Sequence, residues 1–186
     1  MDINSFVIGF KKGKASGGGG FPVNEFFART ATELTLTGVE RLGQYSFYQY
    51  TTLEKLYLPD TIEIASGAIS ICNNLSDIVM AEGLITIGGS GTSAISGSPL
   101  LRALEIPSTV ETVNWNALVG CTNLETVTFL GKPKMIGSEF NSTALPASVK
   151  TINANWAYGE VEGAPWGASS ATIHYTNVTV RYPLTP

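Results

Sequence analysis

The 186-residue sequence has few charged residues and no long apolar run. Charged residues make up only 14% of the chain, and its 11 Lys and Arg residues are scattered, so a basic surface of the kind that holds nucleic acid is not expected. No apolar run reaches the roughly 18 residues that a membrane-spanning helix needs. We therefore expect neither a nucleic-acid partner nor a membrane span.

The sequence is also poor in residues for catalysis or metal binding, with two cysteines and one histidine. His174 would have to serve as the base for every candidate serine or cysteine nucleophile, and it lies in a predicted strand. We expect no enzymatic activity, no metal and no cofactor. A glycan hydrolase with paired carboxylates is the minority alternative. Its candidate acids are Glu33, Asp77, Glu105, Glu160 and Glu162.

A repeat of 22 to 26 residues fills most of the chain, and residues 101–123 are its clearest copy. Its copies begin at Ala31, Leu53, Leu75, Leu101, Leu124 and Val149. The residues three and five places after each start are apolar: Leu34 and Leu36, Leu56 and Leu58, Ile78 and Met80, Leu104 and Ile106, Val127 and Phe129, Ile152 and Ala154. This alternation predicts a strand in each copy with those side chains inward, and the period fits a leucine-rich repeat.

The outward positions of the same strands give the candidate binding surface, since repeat arrays commonly bind through such extended faces. The alternative is a sheet face that is only solvated or packed on a sister subunit. An aromatic segment after the last strand could add a platform for sugar or peptide, although a cap over the last coil is the simpler interpretation. The candidate residues are Lys55, Tyr57, Asp77, Val79, Glu105, Thr128, Asn153, Trp156 and Trp166.

A small residue followed by a large one recurs later in each copy. These pairs are Ser46-Phe47, Ala68-Ile69, Ala94-Ile95, Ala117-Leu118 and, in the fifth copy, Glu139-Phe140. Cys72 and Cys121 each lie three residues after the large member, two copies apart. Stacked strands are about 4.8 Å apart, so the two sulfurs would be on the order of 10 Å apart, too far for a disulfide. We expect two buried free thiols.

The chain divides into five segments in this interpretation. Residues 1–16 form an anchor, 17–20 a glycine linker, 21–30 an N-terminal cap, 31–155 the solenoid, and 156–186 an aromatic C-terminal cap and tail. A short helix over 3–14 would carry the anchor's apolar stripe, which consists of Ile3, Phe6, Val7 and Phe10. The charges follow this apolar stretch, the reverse of a secretory signal, which disfavours classical export.

The repeat resembles the BspA-type leucine-rich repeat of bacterial surface proteins. Residues 101–123 match its pattern at Leu101, Leu104, Ile106, Pro107, Val110, Val113, Ala117, Leu118 and Cys121. The resemblance covers about 31–155 and weakens in the fifth copy, which lacks the proline and the cysteine. It implies a β-rich leucine-rich-repeat solenoid of about six coils, with one parallel sheet and irregular or helical turns opposite, closed by a cap at each end.

The ending G-E-V-x-x-A-P-W-G-A with a closing T-I-H-Y also looks like the tail of leucine-rich-repeat proteins encoded in phages of gut bacteria. This resemblance implies a non-enzymatic virion component at the tail tip, fibre or particle surface. Residues 1–16 would hold other virion proteins or sister copies in a homo-oligomer, and the solenoid would bind a host surface protein or glycan. The alternative is a bacterial cell-surface adhesin of the same repeat family.

Overall fold

The protein is a β-solenoid of about six coils, seen in a computed structural model that describes residues 8–10, 28–89, 92–138, 141 and 143–183. These residues form strands and turns with almost no helix. Equivalent strands of successive coils pair in parallel, as alternating apolar side chains in a regular repeat require. The predicted fold class is therefore confirmed.

The first strand of each coil contributes to one side of the solenoid, which we call the front face. Its strands are β2 (Glu33–Thr35), β5 (Lys55–Leu58), β8 (Asp77–Met80), β11 (Ala103–Ile106), β13 (Thr126–Phe129), β15 (Thr151–Ala154), β16 (Thr172–His174) and β17 (Thr179–Arg181). They form two sheets, β2-β5-β8 and β11-β13-β15-β16-β17. Leu56 pairs with Leu34 and Ile78, and Val127 with Leu104 and Ile152, so the predicted register is confirmed.

A second side of the solenoid carries a six-stranded sheet in the order β1-β3-β6-β9-β12-β14. Its strands are β1 (Ile8–Phe10), β3 (Val39–Leu42), β6 (Glu63–Ile64), β9 (Thr86–Ile87), β12 (Thr112–Asn114) and β14 (Met135–Gly137). β1 is antiparallel to β3, with Ile8 opposite Leu42 and Gly9 opposite Arg41. The helix predicted over 3–14 is therefore wrong at Ile8–Phe10, where the free edge of the first coil accepts a strand.

The third side is a three-stranded sheet in the order β10-β7-β4. Its strands are β4 (Phe47–Tyr48), β7 (Ile69–Ser70) and β10 (Ile95–Ser96). The single parallel sheet with irregular or helical turns opposite needs correction, because three sides carry strands. Two-residue strands are too short to show an alternating pattern, so the sequence could not reveal them.

The core is a continuous column of aliphatic side chains between the three sides. The inward residues of the front face, from Leu34 to Ile173, are buried. Cys72 and Cys121 are buried free cysteines, as predicted. The predicted alignment of the fifth copy is wrong, because Leu118 donates its N–H to the carbonyl oxygen of Ala144, which places Ala144 and Leu145 where Glu139 and Phe140 were expected. Glu139 and Phe140 themselves lie outside the described residues.

The C-terminal segment continues the solenoid before it closes it. β16 pairs in parallel with β15, so Ile173 stacks on Ile152. β17 then turns back antiparallel to β16 and forms the outer edge of the sheet. The strand predicted around His174 is therefore confirmed.

Candidate binding surface

The front face presents two parallel files of outward side chains along the solenoid axis. In the N-terminal sheet, strand register aligns Glu33, Lys55 and Asp77 in one file and Thr35, Tyr57 and Val79 in the other. In the C-terminal sheet it aligns Ala103, Thr126, Thr151 and Thr172, and beside them Glu105, Thr128, Asn153 and His174. The predicted surface residues on strands therefore come together on one face.

The N-terminal half of the front face is mixed in character. Lys55 Nζ lies 3.2 Å from Glu33 Oε1, and this hydrogen-bonded ion pair raises the pKa of the lysine. Both side chains are solvated, so the pair adds little stability. Tyr57 is half-buried beside Val79, which is 44% exposed. An exposed valine in a central file is available for contact with a partner.

The described strands of the C-terminal half carry the charges of Glu105 and Arg181 and are otherwise rich in hydroxyl and amide groups. Asn153 Nδ2 donates to Thr128 Oγ1 over 2.9 Å, joining two coils. His174 Nδ1 lies 3.3 Å from Thr179 Oγ1, and His174 is exposed at the end of the same file. His174 is not among the predicted surface residues, because the predicted solenoid ends at residue 155. The alternation around Ile173 was the signal that could have included it.

Trp156 and Trp166 are corrections to the predicted surface, because they are 3% and 0% exposed. Their ring centroids lie 5.9 Å apart, and both pack edge-on against Phe129. Trp166 Nε1 donates to the carbonyl oxygen of Glu162, so its polar group is satisfied within the cap. The two indoles close the open end of the core, which explains why an aromatic-rich segment follows the last strand.

Two of the five carboxylates proposed for the hydrolase alternative, Glu33 and Glu160, have structural partners. Glu160 accepts the N–H of Ala157 over 2.8 Å and pairs with Lys132 Nζ at 3.2 Å. These contacts lower its pKa, the opposite of what a general acid needs. Glu33 is ion-paired with Lys55.

The described part of the chain contains no group of three His, Cys, Asp or Glu side chains placed to hold a metal ion. Among the described residues there is also no apolar helix of a length that would span a membrane.

The predicted anchor falls mostly outside the described residues. Ile3, Phe6 and Val7 lie there, and Phe10 ends β1, where it pairs with Val39 through the backbone. The anchoring role of this segment stays a prediction.

Comparison with known proteins places the repeats in a family. The model of the BspA type leucine rich repeat region matches six copies over residues 40–159. No curated protein matches the sequence. A crystal structure of a leucine rich cell surface protein from Faecalibacterium prausnitzii A2-165 matches with a TM-score of 0.50 and 19% identity. The match covers 78% of this chain but only 32% of that one, so the chain spans about a third of the length of that protein.

Proposed function

Because the chain belongs to the BspA-type leucine-rich repeat family, we propose that it is a non-enzymatic bacterial cell-surface protein that adheres to a partner through its front face. The observation that carries this proposal is the pair of aligned files on the front face. The partner would be a host surface protein or a glycan.

The chemistry of the front face supports adhesion rather than turnover. Cross-coil contacts such as Asn153 to Thr128 and Lys55 to Glu33 orient some of its side chains before a ligand binds. Tyr57 and Val79 offer apolar area, and the threonines offer donors and acceptors. A surface that extends over successive coils suits an extended protein or glycan ligand better than a small metabolite.

The phage-virion role is a second candidate, carried by the resemblance of residues 159–175 to phage-encoded proteins. The family match and the cell-surface protein of similar fold favour the bacterial surface instead. Antibody labelling distinguishes the two. We expect label on intact cells of the producing bacterium and none on phage particles released by induction, whereas labelled particles would restore the virion role.

Adhesion by the front face is tested with protein-coated fluorescent beads on epithelial cells and on immobilised matrix proteins. We expect wild-type beads to adhere and a Tyr57→Ala, Val79→Ser variant to adhere at least about tenfold less, since central apolar contacts dominate such interfaces. Ile85→Ser is the matched control, because Ile85 is 36% exposed but lies outside the front face. Equal losses in both variants, or no adhesion by the wild type, would contradict the proposal.

A further inference from the structure

The third side of the solenoid, formed by β4, β7 and β10, carries an exposed tyrosine pair. Tyr48, Ser70 and Ser96 are in register and face outward, while the residues before them are buried. Tyr48 is 39% exposed and Tyr45 is 55% exposed. Their ring centroids lie 5.7 Å apart at an interplanar angle of 76°, so the rings support each other edge to face.

Two residues on this side, Tyr45 and Ile71, have a positive φ, which is unfavourable for residues with a side chain. Tyr45 has a φ of 64°, and the equivalent residue of the next coil is Gly67, with a φ of 69°. Ile71 has a φ of 59°, and the equivalent residue of the following coil is Gly97, with a φ of 61°. Glycine adopts this conformation freely, whereas a residue with a Cβ does not, least of all a β-branched one.

Burial does not explain these two choices either. Ile71 is 38% exposed and Tyr45 more than half exposed, so neither side chain gains much from the core. The chain therefore places large side chains in solvent at two positions where the following coil uses glycine, and Gln49, the equivalent of Ile71 in the preceding coil, also has a positive φ of 56°. Strained residues of this kind concentrate where a ligand is bound.

The surface beside the tyrosines is a flat floor of small residues. Ser96 Oγ lies 3.2 Å from Ser70 Oγ, which leaves hydroxyl groups facing outward. A Cβ on Gly120 would lie only 2.3 Å from the Ser96 Cβ, so a larger residue there would force a shift, and one on Gly97 would lie a tight 3.0 Å from the backbone of Ile71. Arg29, which donates to the carbonyl oxygen of Tyr48, is a charged side chain at the border.

We propose that Tyr45, Tyr48 and Ile71, with the hydroxyls of Ser70 and Ser96, bind an uncharged saccharide. The C–H face of a sugar ring packs on an aromatic ring, and its hydroxyls pair with serine hydroxyls. The side chains that form the site carry no charge, which suits an uncharged ligand. Three apolar side chains and two serines are far fewer than the roughly 20–30 residues per side of a stable protein interface. This saccharide site lies on the third side of the solenoid, whereas the proposed adhesion uses the front face. It is therefore a second binding site, separate from the proposed function.

The test is an array of neutral oligosaccharides probed with the labelled full-length protein. We expect the array signal of a Tyr45→Gly, Ile71→Gly variant to be at least about tenfold lower than that of the wild type. Its thermal unfolding midpoint should stay equal or rise, because glycine adopts the positive φ at both positions without strain. A purely structural role for the two side chains would lower the midpoint instead.

Tyr158→Ala is the control, since Tyr158 is 51% exposed at the C-terminal end. It should keep the full array signal. The inference is overturned if the wild type binds no neutral oligosaccharide, if the glycine variant binds as well as the wild type, or if the same face proves to bind only a protein. Bead adhesion through Tyr57 and Val79 is a separate readout, so failure here leaves the proposed function standing.

Discussion

The thiol of Cys121 donates a hydrogen bond over 3.1 Å to the carbonyl oxygen of Ile95 in the preceding coil. Cys72 makes the equivalent bond to Phe47, over 3.0 Å. Burial raises the pKa of Cys121 to about 12 and that of Cys72 to about 11. A protonated and enclosed thiol is a poor nucleophile, so both cysteines are structural members of the core.

We expect both thiols to be free and unreactive in the folded protein. A thiol count under denaturing conditions without reductant should find the two free cysteines. Alkylation of the native protein at about pH 8 should modify neither, because the thiolate fraction is negligible and the core excludes the reagent. A count of zero in the denatured protein would show a disulfide and contradict the coil register.

The same thiols should make the protein less stable in strong alkali. Burial raises their pKa values above the ordinary 9.0 of a cysteine, so the folded state keeps protons that the unfolded chain releases. This contribution is complete below about pH 9 and is lost as pH rises towards the folded values, by about 1.4 kcal/mol per pH unit for each thiol. Denaturant titrations between about pH 9 and 11 should show a shallower decline for Cys121→Ala than for the wild type. Parallel curves would contradict the assignment.

The front face could be predicted from the sequence because its strands are long enough to alternate. Leu104, Glu105 and Ile106 show the inward–outward–inward pattern, and the repeat period then fixes which strand follows which. The same reasoning failed at Glu139 and Phe140, because the fifth copy has five more residues than expected before its small–large pair, which is Ala144 and Leu145.

Other features depend on contacts that no local pattern encodes. Ile8–Phe10 is too short to distinguish helix from strand, and the free edge of β3 decides the outcome. Aromatic residues such as Trp156 and Trp166 are typical of a binding platform, but here both are buried because they cover the end of the core. Tyr45 and Ile71 look unremarkable in sequence, and only their backbone angles and their exposure separate them from ordinary turn residues.

Core and surface positions of the front face should differ sharply in their tolerance to substitution. Leu104 is 3% exposed between flanking coils, so Leu104→Ala should lower the free energy of unfolding by about 2–5 kcal/mol. Thr128→Ala, on the outward side of the next strand, should change it by less than about 1 kcal/mol, including the bond from Asn153. Urea titrations measure both, and equal losses would contradict the inward–outward assignment.

Gly131 lies in close contact with the backbone of the preceding coil. A Cβ on Gly131 would lie 2.4 Å from the carbonyl oxygen and 2.6 Å from the Cα of Ser108 in the preceding coil. We expect Gly131→Ala to destabilise the protein by about 1–3 kcal/mol, because backbone must move. Gly89→Ala is the control, since its Cβ would meet only Ser66 Oγ at an ordinary 3.4 Å. If the thermal unfolding midpoint of Gly131→Ala equals that of the wild type, the two coils are not stacked as closely as these distances require.

We expect the N-terminal segment to stabilise the first coil of its own solenoid, whether or not it also acts as an anchor. Ile8–Phe10 pairs with β3, so deletion of residues 1–20 exposes that edge. We expect the thermal midpoint to fall by a few degrees, since about 1 kcal/mol corresponds to about 2–4 °C in a chain of this size. An unchanged midpoint together with lost oligomers would instead identify residues 1–16 as an anchor that leaves the solenoid alone.

A disulfide trap shows directly which chain the strand docks on. Gly9 and Arg41 face each other across the antiparallel pair, at a separation that a disulfide spans. Mild oxidation of the Gly9→Cys, Arg41→Cys variant should give a monomer with an internal crosslink, because the edge of β3 is closest to its own N-terminus. Gly9→Cys alone controls for random oxidation between chains. A covalent dimer that forms only in the double variant would show that β1 docks on a sister copy, which is one of the two assemblies that the anchor prediction names.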